Sequence, residues 1–258
     1  MLIGETILRK KLIILFSILT FLAVMIILNS VVFSVKKISA NIVNADDERL
    51  CQNIKDSAQI TPQSIFFLNE DLIIKNISRS VPQVKVIKLE RKFPDKLIIH
   101  AYKREKICYI KYDNVFYILG EDLVVMDIIN TRPNDVFELF MGDDIDMSDT
   151  LEGDEPKMHS TAKAEMLYLI SCIKNIGTDY FDLISKVYYF RTKSDIYLKT
   201  NSGVMIHLSY TYRLQEKVVI AFSLYNHTPI YQASGVISAY IDGDGNLKAS
   251  YRPEEIEF

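Results

Sequence analysis

Residues Val81–Glu105 read "VPQVKVIKLERKFPDKLIIHAYKRE". Two alternating runs rich in β-branched residues, Val84–Arg91 and Lys96–Tyr102, meet at Phe93-Pro94-Asp95, where proline pre-sets the backbone for a turn. The spacing predicts a β-hairpin, and none of its residues forms a catalytic motif. Its role therefore depends on the chain around it.

Upstream, Val35–Val43 alternates loosely and predicts a short strand. Asp46 offers a capping oxygen for a helix to about Ser57, with Leu50 and Ile54 four apart on one face. Asn69 can cap a second helix that turns Leu72, Ile73 and Ile77 to a core and stops at Val81-Pro82, because proline removes a donor and restricts the residue before it. Residues 36–105 thus read as β-α-α-β-β, with two helices covering one face of a three-stranded sheet.

The segment Arg9–Lys37, "RKKLIILFSILTFLAVMIILNSVVFSVKK", has no charge between Lys11 and Lys36. A helix of that length reaches roughly 36 Å, enough to cross a hydrocarbon core of about 30 Å. Phe33-Ser34-Val35 is a poor cleavage site, and the apolar run exceeds that of a cleavable signal, so the segment reads as an uncleaved signal anchor. Arg9, Lys10 and Lys11 before the span against Lys36 and Lys37 after it favour a cytoplasmic N-terminus. The domain plan is a cytoplasmic tail at 1–11, a transmembrane helix at 12–35, the β-α-α-β-β unit at 36–105, a β-rich domain at 106–252 and a C-terminal tail at 253–258.

A chain of 258 residues, 49% hydrophobic, can hold one or two domains with cores of their own. Its three cysteines, Cys51, Cys108 and Cys172, are far apart with no C-x-x-C pair, and they read as free and mostly buried. Residues 36–105 carry 13 Lys and Arg against 9 Asp and Glu, whereas 106–258 carry 14 against 23. The change of sign near residue 105 suits a domain boundary, and the basic block reads as a solvated surface beside anionic lipid rather than a nucleic-acid site.

In the acidic block, Met166, Leu169, Ile170 and Ile173 form a helical stripe between Ser160 and Gly177. Ile196 and Leu198, then Val204, Ile206 and Leu208, flank a turn at Asn201-Ser202-Gly203 and predict a hairpin. Leu214, Val218, Ala221 and Tyr225 share one face of a further helix. In the last stretch, "GVISAYIDGDGNLKASYRPEEIEF", two alternating runs, Val236–Ile241 and Leu247–Tyr251, flank the turn-forming Asp242–Asn246, and Pro253 ends the second run. This last hairpin can put its final strand at a sheet edge.

Together these features make the chain resemble the FtsQ/DivIB family of bacterial cell-division proteins, with a POTRA-like unit after the span. The resemblance rests on Pro82-Gln83-Val84, Arg91-Lys92-Phe93-Pro94, Leu97-Ile98-Ile99 and Arg104, where the family has E-R-x-P. It extends to "VFYILGEDLVVM", Val115–Met126, and to Lys217 in an L-x-x-K match. Lys103 and Lys106 stand where the family has Glu and Pro, and the 115–126 segment lacks the family's glycine. The fold class expected is membrane-anchored α+β: one N-terminal transmembrane helix, a POTRA-like domain, then a β-rich second domain with helices on its sheet.

The resemblance implies a non-enzymatic divisome scaffold at the septum, single-pass in the bacterial cell membrane, with the bulk of the chain extracytoplasmic. It implies FtsB/DivIC-like and FtsL-like partners, no cofactor, no nucleic acid and no small-molecule substrate. In the family the last strand of the β domain accepts a partner strand, which carries a partner-binding role to Leu247, Lys248, Ala249, Ser250 and Tyr251. The same strand also reads as an ordinary edge blunted by Lys248 and Pro253.

Other readings are a membrane-tethered extracellular metal-binding sensor or a POTRA-bearing export or sporulation component. The sensor would draw on the seven carboxylates of Gly142–Glu155, which read chiefly as a solvated loop. Asp242, Asp244 and Asn246 imitate the start of a calcium loop, but Leu247 takes the glycine position and Pro253 that of the bidentate Glu. His100, His159, His207 and His227 lie at no metal-ligand spacing, and no G-x-S-x-G occurs.

Overall fold

A computed structural model describes residues 2–60, 63–192, 195–227 and 234–253, the side chains of 2–11 and 28 excepted. Of the expected C-terminal tail only Pro253 lies within this range. The chain divides into two compact units, 1–103 and 104–258.

The first unit starts with α1, Leu2–Ile27, which runs into a π-helical turn at Leu28–Val32. Its stretch Leu12–Val32 is long and apolar enough to cross a membrane. Thr20 Oγ1 donates to the Phe16 carbonyl at 2.8 Å, so this polar group is satisfied within the helix. This apolar stretch ends at Val32, and the next residues join the sheet unit: Ser34 bridges Ser64, and the buried Val35 donates its N–H to Gln63 O at 3.0 Å.

Strand β1 (Lys37–Ile42), helices α2 (Glu48–Ser57) and α3 (Glu70–Ser80), and strands β2 (Val84–Lys92) and β3 (Lys96–Lys103) follow. The sheet order is β1-β3-β2, with β1 parallel and β2 antiparallel to the central strand. The cap of α2 is Asp47, not Asp46: its Oδ1 accepts the Leu50 N–H at 3.0 Å, three residues on, as an N-cap requires. Asn69 caps α3 by accepting from Leu72 N at 3.1 Å. Ile73 and Ile77 are buried but Leu72 is exposed, because a stripe at 73 and 77 leaves residue 72 about 100° off the core-facing side. Leu50, Ile54, Ile65, Ile73, Ile77, Val84, Leu97, Ile99 and Ala101 make the core.

In the second unit a meander of β4 (Lys106–Tyr112), β5 (Val115–Gly120) and β6 (Val125–Ile129) precedes β7 (Phe137–Phe140). The short pair β8 (Ile145–Asp146) and β9 (Lys157–Met158) leads to α4 (Ser160–Ile176). Then come β10 (Ile184–Phe190), β11 (Asp195–Thr200), β12 (Val204–Ser209), α5 (Leu214–His227), β13 (Gly235–Ile241) and β14 (Leu247–Arg252). Nine strands form one sheet in the order β14-β13-β12-β11-β10-β7-β4-β5-β6. Strand β7 pairs parallel with both β4 and β10 and so joins the meander to the later strands. The stripes of α4 and α5, including Met166, Leu169, Ile173, Val218 and Ala221, pack with Ile196, Leu198, Ile206, Leu208 and Ile237 in one core. The observed fold is the expected membrane-anchored α+β arrangement.

Candidate partner-binding edge

The last hairpin begins at a close approach of two strands. A Cβ on Gly235 would lie 2.5 Å from a Tyr251 ring carbon and 2.6 Å from the Arg252 carbonyl, so only glycine lets β14 close onto β13 here. Tyr251 also donates its hydroxyl to Ser234 O at 3.0 Å. At the far end Asp242 Oδ1 accepts from Asp244 N at 3.1 Å and Asn246 N at 2.8 Å, while Asp242 N donates to Asn246 O at 3.0 Å. Gly245 takes the left-handed φ of 83° that the turn needs. Lys248 Nζ sits 2.6 Å from Asp242 Oδ2. That ammonium, and then the Asn246 N–H, hold the Asp242 carboxyl down at about 2. Both oxygens of the Asp242 carboxylate therefore meet the chain's own donors.

The register pairs Ile241 with Leu247, Tyr240 with Lys248, Ala239 with Ala249, Ser238 with Ser250 and Ile237 with Tyr251. Because Asp242 and Asn246 form a hydrogen-bonded pair, the alternation of an antiparallel ladder turns the backbone of Lys248 and Ser250 toward β13. It turns that of Leu247, Ala249 and Tyr251 away from it. Strand β14 is terminal in the sheet, so those three residues line its outer edge. All five residues singled out in the sequence thus lie on one edge strand. Leu247, Ala249, Ser250 and Tyr251 are half-buried and Lys248 is exposed.

Two supports of this edge had only weak signals in the sequence. Arg213 Nη1 donates to Gly245 O at 3.2 Å and so ties the turn to the start of α5. Lys217, met only as part of a motif match, is buried, and its Nζ donates to Ser209 O and to Tyr210 O at 3.1 Å. Burial, and then the Arg213 charge, pull its pKa below the usual lysine range. Lys217 thereby closes the chain between β12 and α5, where Tyr210 and Arg213 take left-handed φ values of 56° and 54°.

Elsewhere polar groups serve structure. Asp144 accepts from Arg191 Nε at 2.6 Å, Asp149 pairs with Lys157 at 3.0 Å and Glu155 with Lys163 at 2.5 Å, so three carboxylates of this largely exposed stretch face the chain's own cations. His100 bonds Glu90 at 2.8 Å and lowers that carboxyl's pKa, His207 bonds Asp195 at 3.1 Å, and His159 caps α4. Burial pushes the Cys108 thiol up to about 12, far from a reactive thiolate. Among the described residues no group of three or more His, Cys, Asp or Glu is placed to hold a metal ion. A recess of about 420 Å³ bordered by Tyr109, Arg132, Asp135, Asp182 and Asn201 is lined by neither histidine nor cysteine.

Residues 34–101 match the family model described as "POTRA domain, FtsQ-type". The cell division protein DivIB of Clostridium botulinum strain Hall is 26% identical over 239 residues, covering 90% of this chain and 87% of that one. These matches support the resemblance to the FtsQ/DivIB family. DivIB of Clostridium tetani is 34% identical over 77 residues, 30% of this chain and 29% of its own. The solved extracytoplasmic domain of DivIB from Geobacillus stearothermophilus covers 49% of this chain and 98% of its own at 16% identity, with a TM-score of 0.31, too low to bear on the fold. The chain is thus a DivIB-like cell-division protein with one N-terminal stretch long and apolar enough to anchor it in a membrane.

Proposed function

We propose that the chain is a non-enzymatic scaffold of the divisome that binds FtsB/DivIC-like and FtsL-like partners by strand addition at β14. In this reading residues 1–11 are cytoplasmic, the span crosses the cell membrane once, and the POTRA-like unit and the β domain work extracytoplasmically at the septum. The observation that carries it is the terminal strand whose Leu247, Ala249 and Tyr251 turn their backbone groups off the sheet. A partner strand would gain main-chain hydrogen bonds there, and the alternating side chains of 247–251 would set its register.

The sharpest test is Ala249→Pro. Proline at this position deletes one outward N–H and leaves the bonds to β13 in place, which edge strands tolerate. Affinity for a soluble FtsB-like segment, measured by calorimetry, should fall by about ten-fold, the equivalent of about 1.4 kcal/mol. Unchanged affinity in a variant that retains its melting temperature would end the strand-addition reading.

A further inference from the structure

Three phenylalanines from distant parts of the first unit meet where the span ends. The Phe33 ring, one residue past Val32, lies 5.1 Å from Phe66 and 6.5 Å from Phe93, and Phe66 and Phe93 are 5.1 Å apart. A folded unit that needed only a core would enclose such a cluster. Here Phe66 is 47% exposed, Phe93 58%, and the adjoining Phe67 72%.

Backbone bonds fix the cluster to the end of the span. Ile65 N donates to Phe33 O at 2.8 Å, Val35 N to Gln63 O at 3.0 Å, and Lys36 N and Lys37 N to Asp95 O at 2.9 and 3.2 Å. Ser64 Oγ donates to Asn29 Oδ1, inside the last turn of the apolar segment, at 2.5 Å. The 64–67 turn and the tip of the β2–β3 hairpin are thereby held at the depth where the helix leaves the membrane.

The surrounding charge completes the pattern. The register sets Lys37 beside Lys96 and Lys96 beside Lys92, a row of lysines across all three strands at this end of the sheet, with Lys36 next to it. Of the nearby acids, Glu70 is paired with Arg91 at 2.5 Å, Glu90 with His100 at 2.8 Å and more loosely with Lys92 at 3.9 Å, and Asp95 lies at the tip itself. Aromatic rings at headgroup depth flanked by lysines are the composition of an interfacial membrane contact.

We propose that Phe66, Phe67 and Phe93 dock the POTRA-like unit on the leaflet at which the span ends, with Lys36, Lys37, Lys92 and Lys96 on anionic headgroup phosphates. The occupant is lipid because the patch is continuous with the membrane-spanning segment and carries the complementary charge. This reading rests on the span crossing a bilayer and is independent of what β14 binds.

The chain contains no tryptophan, so a single introduced indole reports alone. Full-length Phe93→Trp and, separately, Phe66→Trp would be reconstituted in phosphatidylcholine vesicles with about 30% phosphatidylglycerol. Both should emit blue-shifted fluorescence and lose about half of it to lipids brominated near the top of the acyl chain, the depth an interfacial ring occupies. Val43→Trp, an exposed position past the opposite end of β1, should stay unquenched. Water-like, unquenched emission from 66 and 93, or equal quenching at 43, would overturn the docking patch. Equal quenching in vesicles of phosphatidylcholine alone would remove the lysines from it.

Discussion

The two sheets of this chain are stabilised in different ways. Among the described residues, the three-stranded unit buries one polar residue, Ser34, and no charge, whereas the nine-stranded unit buries Thr150, Thr200 and two cations, Arg104 and Lys217. Apolar fit is enough for a sheet whose strands and helices follow one another closely. In the larger unit the buried cations sit where the chain changes direction. Arg104 Nε donates to both oxygens of Asp122 at 3.0 Å beyond β5, and Lys217 closes the loop between β12 and α5. Of the two, Lys217 lies on the side of the sheet that carries β14, and Arg104 on the opposite side.

Breaking each kind of support should sharpen this contrast. The largest effect is expected for Ile99→Ala, a fully buried side chain on the central strand of the small sheet: about 4 kcal/mol lost in denaturant unfolding, from the missing side chain and the cavity it leaves. Lys217→Ala removes a buried side chain and the donor shared by the Ser209 and Tyr210 carbonyls and should cost about 2 kcal/mol, with amide protection lost first around 209–217 and in the β13–β14 turn. Lys217→Met, which fills the space but donates nothing, should lie between Ala and the natural residue. Arg104→Lys should cost about 1.5 kcal/mol, because an ammonium at the end of a flexible stem does not reproduce the in-plane Nε–H that both Asp122 oxygens share.

The smallest effect is a pH dependence of the edge hairpin. The Asp242 carboxyl is depressed in the folded chain to about 2 from an ordinary 3.8, so its contribution is complete above 3.8 and disappears as pH falls toward 2. Exchange protection of the Asp244 and Asn246 amides should decline across that window, and Asp242→Asn should flatten the decline.

Much of the small unit was legible from residues alone. Its hairpin, its helices and their order follow from alternation, capping and proline, all of which act over a few neighbours. The misassignments there were similarly local: Asp46 and Asp47 are both competent caps, and Leu72 falls beside a stripe that two isoleucines define. In the larger unit the helical stripes and the turn at 201–203 were equally plain. The path of the sheet was not, because β7 joins β4 and β10 by parallel pairing between segments far apart in sequence. Strand β10 lacks the signal that announces a strand, because Val187, Tyr188, Tyr189 and Phe190 follow one another without apolar–polar alternation. Within the candidate site the edge strand could be read from alternation, but the anchoring by Arg213 and Lys217 could not. A lysine at a core position looks solvent-facing until two carbonyls are placed beside it.

Amide exchange along β14 tests the central claim most directly. In the free protein the N–H groups of Lys248 and Ser250 should be protected by β13, and those of Leu247, Ala249 and Tyr251 should exchange freely. Saturation with an FtsB-like segment should protect these three while leaving the other two unchanged. Protection of Leu247, Ala249 and Tyr251 before any partner is added, or free exchange at saturation, would contradict the account.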